Sequence, residues 1–138
     1  MMKLQTVQQI MHKHPITVQC QTPLTQIIAT LIETQQSQLP VINKSNTLIG
    51  MVSLIDCQKA LLNSAYHCDQ PVNVNDVMTK DFINLTADEA LSEVAIKTLT
   101  RTENVFLVLQ EEKLIGILKR VDLLVELNNN LALCTPAR

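Results

Sequence analysis

The sequence predicts a mixed α/β chain in which one βαββα unit is written twice, and three observations carry that prediction. Val7-x-x-Ile10-Met11 returns as Val74-x-x-Val77-Met78, an offset of 67 positions (78 − 11). Under that offset Lys13 falls on Lys80, Ile16 on Ile83, Val18 on Leu85, Leu24 on Leu91, Ile27 on Val94 and Val41 on Val108. After a polar stretch the offset becomes 66 (116 − 50), so that Leu48-Ile49-Gly50 meets Leu114-Ile115-Gly116 and Asp56 meets Asp122. The residue lost between the copies falls in Asn43 to Thr47, a loop, where length changes are best tolerated. The third observation is sparseness: the chain has only 2 glycines, and both occupy the same repeat position. A period of this length marks an internal duplication.

Each element of the unit follows from local chemistry. Val7, Ile10 and Met11 stand at i, i+3, i+4, which predicts a short helical turn leading in. Pro15-Ile16-Thr17-Val18 is β-branched and proline-led, an edge strand. Thr22-Pro23 predicts a helix start, with threonine as cap and proline at the first helical position. Leu24, Ile27, Ile28 and Leu31 form that helix's apolar stripe. Leu39 to Ile42 and Leu48 to Val52 are strands, and Ser53 opens a second helix to about Asn63, with Ile55, Ala60 and Leu61 or Leu62 inward. The second copy offers a strand from Ile83 to Leu85, then a helix opened by the capping box Thr86-x-x-Glu89, its inner face Leu91, Val94, Ala95 and Leu99. Strands from Asn104 to Leu109 and Leu114 to Lys119 follow, then a helix from about Val121 to Leu127. The organisation is thus repeat 1 over 6–63, a linker over 64–73 containing Pro71, repeat 2 over 74–128, and a tail over 129–138 in which Pro136 stops any helix.

Composition narrows the function. Of 138 residues 46% are apolar, enough for a core, yet there is no Trp, one Tyr and two Phe, so the core is aliphatic. A net charge of −2 with interspersed signs supplies no basic face for nucleic acid or lipid, and no aromatic platform for single strands. Apolar runs are too short to cross a membrane, and the first residues lack a secretory apolar region, so a cytoplasmic protein is expected. The four cysteines, Cys20, Cys57, Cys68 and Cys134, show no metal-ligand spacing with each other or with the His67-Cys68 neighbours, which predicts reduced, mostly buried thiols and no metal. Catalysis would need a nucleophile beside a base, but His12, His14 and His67 fall in terminal or linker positions without a Ser or Cys partner. The chain reads as non-catalytic.

With its ordered double occurrence of Val77-Met78-Thr79-type turns and of Gly50-Met51-Val52-Ser53-Leu54-Ile55-Asp56 against Gly116-Ile117-Leu118-Lys119-Arg120-Val121-Asp122, the repeat resembles the cystathionine-β-synthase (CBS) domain. The two copies look like a stand-alone CBS-domain pair over nearly all of Thr6 to Asn128. The resemblance implies a pseudo-two-fold packing of the repeats with two clefts between them. It also implies adenosyl ligands as possible effectors, with no cofactor required: AMP, ADP, ATP, S-adenosylmethionine or NAD. A homodimer associating through helices and an unknown effector protein acting in trans complete the expectation. On the family's pattern the motif aspartates grip ribose hydroxyls, the Ser or Thr contacts ribose or phosphate, and apolar strand residues sandwich adenine. Carried onto this chain, the ligand-binding set is Gly50, Ser53 and Asp56 with Gly116, Lys119, Arg120 and Asp122, flanked by Ile16, Val41, Ile83 and Val108.

The residues themselves leave two readings of each position. Asp56 and Asp122 sit on first helical turns, where a carboxylate is favoured by the helix dipole and free N–H groups suit phosphate. Ser53-x-x-Asp56 is equally the spacing of a capping box, but Lys119 cannot cap a helix start, and Asp122 recurs regardless. The glycines fit the approach of a flat ring or of another backbone. Lys119 and Arg120 depart from the usual Ser or Thr: they add cations that could favour a polyphosphate, or are a solvated pair. Ile16, Leu39, Val41, Ile83, Phe106 and Val108 are core positions even in a ligand-binding member. The alternative function is a dimeric interaction scaffold that no longer binds ligand.

Overall fold

The computed structural model describes residues 5–64 and 72–134. The His67–Cys68 pair, Pro71, Pro136 and the N-terminal residues read for a signal lie outside them. Its elements follow the duplicated order: α1 (Val7–Ile10), β1 (Val18–Gln19), α2 (Leu24–Thr34), β2 (Gln38–Ile42), β3 (Leu48–Ser53) and α3 (Leu54–Ser64). They repeat as α4 (Val74–Val77), β4 (Asn84–Leu85), α5 (Leu91–Lys97), β5 (Val105–Gln110), β6 (Lys113–Lys119) and α6 (Arg120–Cys134). Two three-stranded sheets result, ordered β1-β2-β3 and β4-β5-β6. β1 lies parallel to β2, and β4 to β5, with a helix crossing between each pair. β2 and β3 form an antiparallel hairpin whose register shifts between Val41 and Ile42.

The compact units are not contiguous in sequence. One, the Gly50 unit, gathers Ile16–Phe82 with Glu112–Leu114; the other, the Gly116 unit, gathers the chain up to Pro15, Ile83–Glu111 and the chain from Ile115 onward. Each lead-in turn therefore completes the core built by the other repeat's sheet. Fully buried Val7, with Ile10 and Met11 against it, joins Leu85, Leu91, Val94, Phe106, Val108, Leu118 and Leu123. Val74, with Val77 and Met78, joins Val18, Leu24, Ile27, Leu31, Leu39, Val41, Val52 and Cys57. Four-residue helices cannot hold themselves in water. These two are held by apolar anchors and by backbone pairing of which two bonds recur in both units, the Gln8 bond being confined to one. Val7 and Gln8 N–H groups donate to the Glu89 and Ala87 carbonyls (3.0 and 2.8 Å), and Leu91 N–H to Gln5 (3.0 Å); correspondingly, Val74 N–H donates to Thr22 (2.8 Å) and Leu24 N–H to Val72 (2.9 Å).

That pairing corrects both helix starts. α2 begins at Leu24 with Pro23 in the cap position, one residue later than expected, and the Thr22 hydroxyl donates to the Gln19 carbonyl at 2.6 Å instead of capping. Only half of the Thr86–Glu89 box forms: Glu89 Oε1 accepts from Thr86 N–H at 3.1 Å, but the Thr86 hydroxyl donates to Asp88 Oδ1 at 2.8 Å, the stretch closes a turn, and α5 starts at Leu91. The Ala87 and Glu89 carbonyls that an earlier start would use are taken by the lead-in segment.

Helix phase brings further corrections. Leu99 is 78% exposed because α5 ends at Lys97, and Thr98 turns inward, its hydroxyl satisfied by the Val94 carbonyl at 2.8 Å. On α3 the inward residues are Cys57 and Ala60, small enough for the helix to lie close to its sheet; Ile55, Leu61 and Leu62 face out. α6 continues past Leu127 through Asn128-Asn129-Asn130, with Leu123 buried and Val121, Leu124 and Val125 exposed. Ile16, expected in the core, is 43% exposed, since it precedes β1 and only Val18 of that stretch is buried among core residues.

Candidate functional site

In both repeats the last strand runs into the last helix with no intervening loop: β3 ends at Ser53 and α3 begins at Leu54, while β6 ends at Lys119 and α6 begins at Arg120. This junction sets the glycine on the strand and the aspartate on the first helical turn. Over each glycine passes a lead-in segment. Met51 and Thr79 exchange both backbone hydrogen bonds (2.9 and 2.8 Å), and Ile117 and His12 do the same (3.0 and 2.7 Å). A methyl group at Gly116 would sit 2.8 Å from the His12 carbonyl oxygen; at Gly50 it would sit 2.5 Å from Met78 Sδ. Close approach of another segment is what both glycines permit.

The two clashes differ in kind, because a backbone carbonyl held in a bridge cannot swing away whereas a methionine can. Gly116→Ala should therefore cost about 1–3 kcal/mol, as overpacking does, and Gly50→Ala less. Denaturant midpoints of the two variants check this; equal losses would remove the distinction.

Around the glycines the junctions diverge. At the Gly50 junction Ser53 and Asp56 form a reciprocal cap: Ser53 N–H donates to Asp56 Oδ2 (3.0 Å) and Asp56 N–H to Ser53 Oγ (3.1 Å). At the Gly116 junction lysine stands where serine would cap, and Asp122 Oδ2 instead meets the Nε2 of His12 at 2.5 Å. Both side chains remain reachable by solvent, His12 at 48% and Asp122 at 36% exposure. Lys119 is half-buried and makes no ion pair among the described residues.

Arg120 points elsewhere. Its Nε donates to the Glu103 carbonyl (3.0 Å) and its Nη2 to the carbonyls of Arg101 (2.9 Å) and Thr98 (3.3 Å). Its guanidinium carbon lies 5.0 Å from the centre of the Phe106 ring. The guanidinium braces the loop between α5 and β5 and is neither the solvated residue nor the free cation that its sequence position suggests.

Of the flanking apolar positions, Val41 and Val108 have no exposed surface and back the sheets from inside, while Ile83 is half-buried and Ile16 open. Burial, and next the charge of Asp56, push the Cys57 thiol upward, so it stays protonated. A separate cavity of about 490 Å³ in the Gly116 unit is lined by Gln8, Met11, Asp88, Leu109, Glu111 and Ile115, among others, and by none of the motif residues. Among the described residues no group of His, Cys, Asp and Glu could hold a metal, and no helix is long and apolar enough to cross a membrane.

His12 is the site residue that sequence reasoning missed. Its signal was present in the repeat: it occupies the position of Thr79, directly after the conserved-register methionine, Met11 against Met78.

The CBS domain family model matches residues 7–63 and 74–129. The chain belongs to the CBS domain family. Protein MJ1225 of Methanocaldococcus jannaschii is 27% identical over 126 residues, which cover 91% of this chain but 44% of that protein. This CBS chain thus spans less than half the length of that curated relative. Among solved structures, CBSX2 in complex with AMP superposes with a TM-score of 0.77 at 25% identity, covering 94% of this chain and 98% of that one. The CBS domain pair of protein MJ0100, in complex with 5′-methylthioadenosine and S-adenosylmethionine, gives 0.75 at 23% identity, covering 92% and 98%. The CBS fold, two three-stranded sheets flanked by helices, is therefore that of the domain pairs.

Proposed function

We propose that this CBS protein is a non-catalytic regulatory module that binds an adenosyl ligand (AMP, ADP, ATP, S-adenosylmethionine or NAD) at its strand-to-helix junctions and reports occupancy to an effector protein. The observation that carries the reading is Asp122. Its carboxylate stands solvent-accessible on the first turn of α6, caps nothing through a serine, and has Lys119 three residues before it. A carboxylate so placed can accept from both hydroxyls of a ribose, each bond to a charged group contributing about 1.5–3 kcal/mol. The first-turn N–H groups and Lys119 suit a phosphate. Asp56 offers the same contact at the cost of its cap, with Ser53 beside it. Gly50 and Gly116 keep the junctions open to their lead-in segments, Ile16 and Ile83 offer apolar surface to adenine, Val41 and Val108 support them from below, and Arg120 braces the second junction. AMP on CBSX2 and the adenosyl compounds on MJ0100 support this ligand class.

A ligand that binds only the folded state raises the melting temperature by mass action, about 2.7 kcal/mol at a hundred times its Kd. A thermal-shift screen of adenosine, AMP, ADP, ATP, S-adenosylmethionine and NAD should therefore show at least one clear stabilisation, weakened by Asp122→Asn. No shift with any of them would favour the second reading, a dimeric interaction scaffold. That reading draws on the exposed Leu61 and Leu62 of α3 and Leu124 and Val125 of α6, apolar surface that a homodimer would cover.

A further inference from the structure

The two junctions present their aspartates in different states. Asp56 is occupied by its own helix cap, an arrangement local to α3. Asp122 is occupied by a residue 110 positions away, His12, whose backbone is fixed to β6 through Ile117 on both sides. The carboxylate that a ribose would need at this junction already has an occupant. We infer that His12 is a built-in competitor for Asp122, so that ligand capture at the Gly116 junction is an exchange of an imidazole for a ribose diol. This inference rests on the adenosyl-binding reading and makes the second junction, alone of the two, sensitive to the protonation of a side chain.

The sign follows from charge. Histidine changes charge between about pH 5 and 8. Protonated, the imidazolium is an ion-pair partner of Asp122 and the ribose must displace it; neutral, it is a weaker hydrogen-bond partner and yields more readily. Affinity for a neutral nucleoside at this junction therefore rises as pH rises. Besides Asp122, the ionisable groups on the segments that meet at His12 are Lys13 and His14 on its own segment, Lys113 and Lys119 on β6, and Arg120 and Glu126 on α6, the Arg120 guanidinium being turned away to the Thr98, Arg101 and Glu103 carbonyls. Lysine and arginine side chains as a class keep their charge across this window and set a constant background. His14 is a second histidine on the same segment and needs its own control.

Exposed ion pairs contribute modestly, so removing the competitor should tighten binding about two- to fivefold. The test is calorimetric titration of adenosine, which carries no phosphate of its own to titrate, at pH 5.5, 7 and 8.5, in the full chain carrying Asp56→Asn to remove the first junction's ribose carboxylate. With His12 present, affinity should climb about two- to fivefold across the range. His12→Ala should flatten the profile at the tight end, His12→Gln should flatten it while keeping a neutral donor, and His14→Asn, which suits the left-handed backbone at that residue (φ 58°), should leave the slope in place. Adenosine binding with the same pH profile in His12→Ala, or a slope that disappears with His14→Asn instead, overturns the competitor while leaving the adenosyl reading standing. Failure of adenosine to bind in any variant, His12→Ala included, overturns the exchange; the adenosyl reading falls with it only when AMP, ADP, ATP, S-adenosylmethionine and NAD also leave the melting temperature unmoved. Binding that emerges only when His12 is removed supports the exchange.

Discussion

Val7→Asp should unfold the Gly116 unit, although Val7 belongs by sequence to the first repeat. Its side chain is fully buried among Leu85, Leu91, Val94, Phe106, Val108, Leu118 and Leu123. An aspartate there is either an unpaired buried charge or a buried carboxylic acid without a partner, a loss of more than about 4 kcal/mol. One effect opposes this, since position 7 opens α1 and an acid there gains from the helix dipole, but by only about 0.3–1 kcal/mol. Against a total stability of about 5–15 kcal/mol, the net loss removes most of what holds the unit. Amide hydrogen exchange distinguishes the consequence by location: protection should vanish in β4, β5 and β6 before it weakens in β1, β2 and β3. Val74→Asp should give the mirror-image pattern, because Val74 is buried against Ile27, Leu31 and Leu39. Loss of protection in the residues' own repeats instead would contradict the exchanged lead-ins.

Arg120→Ala should lower stability by about 2–4 kcal/mol in the absence of any ligand. The substitution orphans the carbonyls of Thr98, Arg101 and Glu103 together and uncovers Phe106. Single hydrogen bonds to a charged donor contribute about 1.5–3 kcal/mol, and the contact over the ring about 0.5–2 kcal/mol; bonds sharing one guanidinium do not add in full. The loss corresponds to a fall in melting temperature of roughly 10 °C. Arg120→Lys should rescue little of it, since one ammonium on a flexible stem cannot reproduce the planar fork that reaches three carbonyls. A phosphate-binding role as the main purpose of Arg120 predicts the reverse, unchanged stability with weaker nucleotide binding. Calorimetric melting of the ligand-free variant separates the two.

Local pattern carried much of this structure. The duplicated register, the stripe Leu24, Ile27 and Leu31 on α2, the strand positions Leu39, Val41, Phe106 and Val108, and the Ser53–Asp56 cap are all short-range features, visible because side-chain period and cap spacing are properties of neighbouring residues. Where local pattern misled, a distant segment had intervened. Thr86–Glu89 has the spacing of a helix start, yet the backbone groups that would extend the helix are spent on Val7 and Gln8. Leu99 fits an apolar stripe that ends before reaching it. Ile55 and Leu61 look inward on composition, but the phase of α3 is set by Cys57 and Ala60 against the sheet.

The candidate site divides along the same line. Sequence by itself determined the family, the repeat, the two glycines and the two first-turn aspartates, because each is a pattern of spacing along the chain. Tertiary structure alone decided which segment lies over which glycine, that Asp122 meets His12 while Asp56 meets Ser53, and that Arg120 turns away to brace three carbonyls. The physical reason is that partners in these contacts are chosen by hydrogen-bond and packing geometry between segments far apart in sequence. Two repeats with the same local pattern admit lead-ins that fold onto their own sheet or exchange, and no spacing within a repeat distinguishes the two. Only the completed cores, with Val7 in one and Val74 in the other, do so.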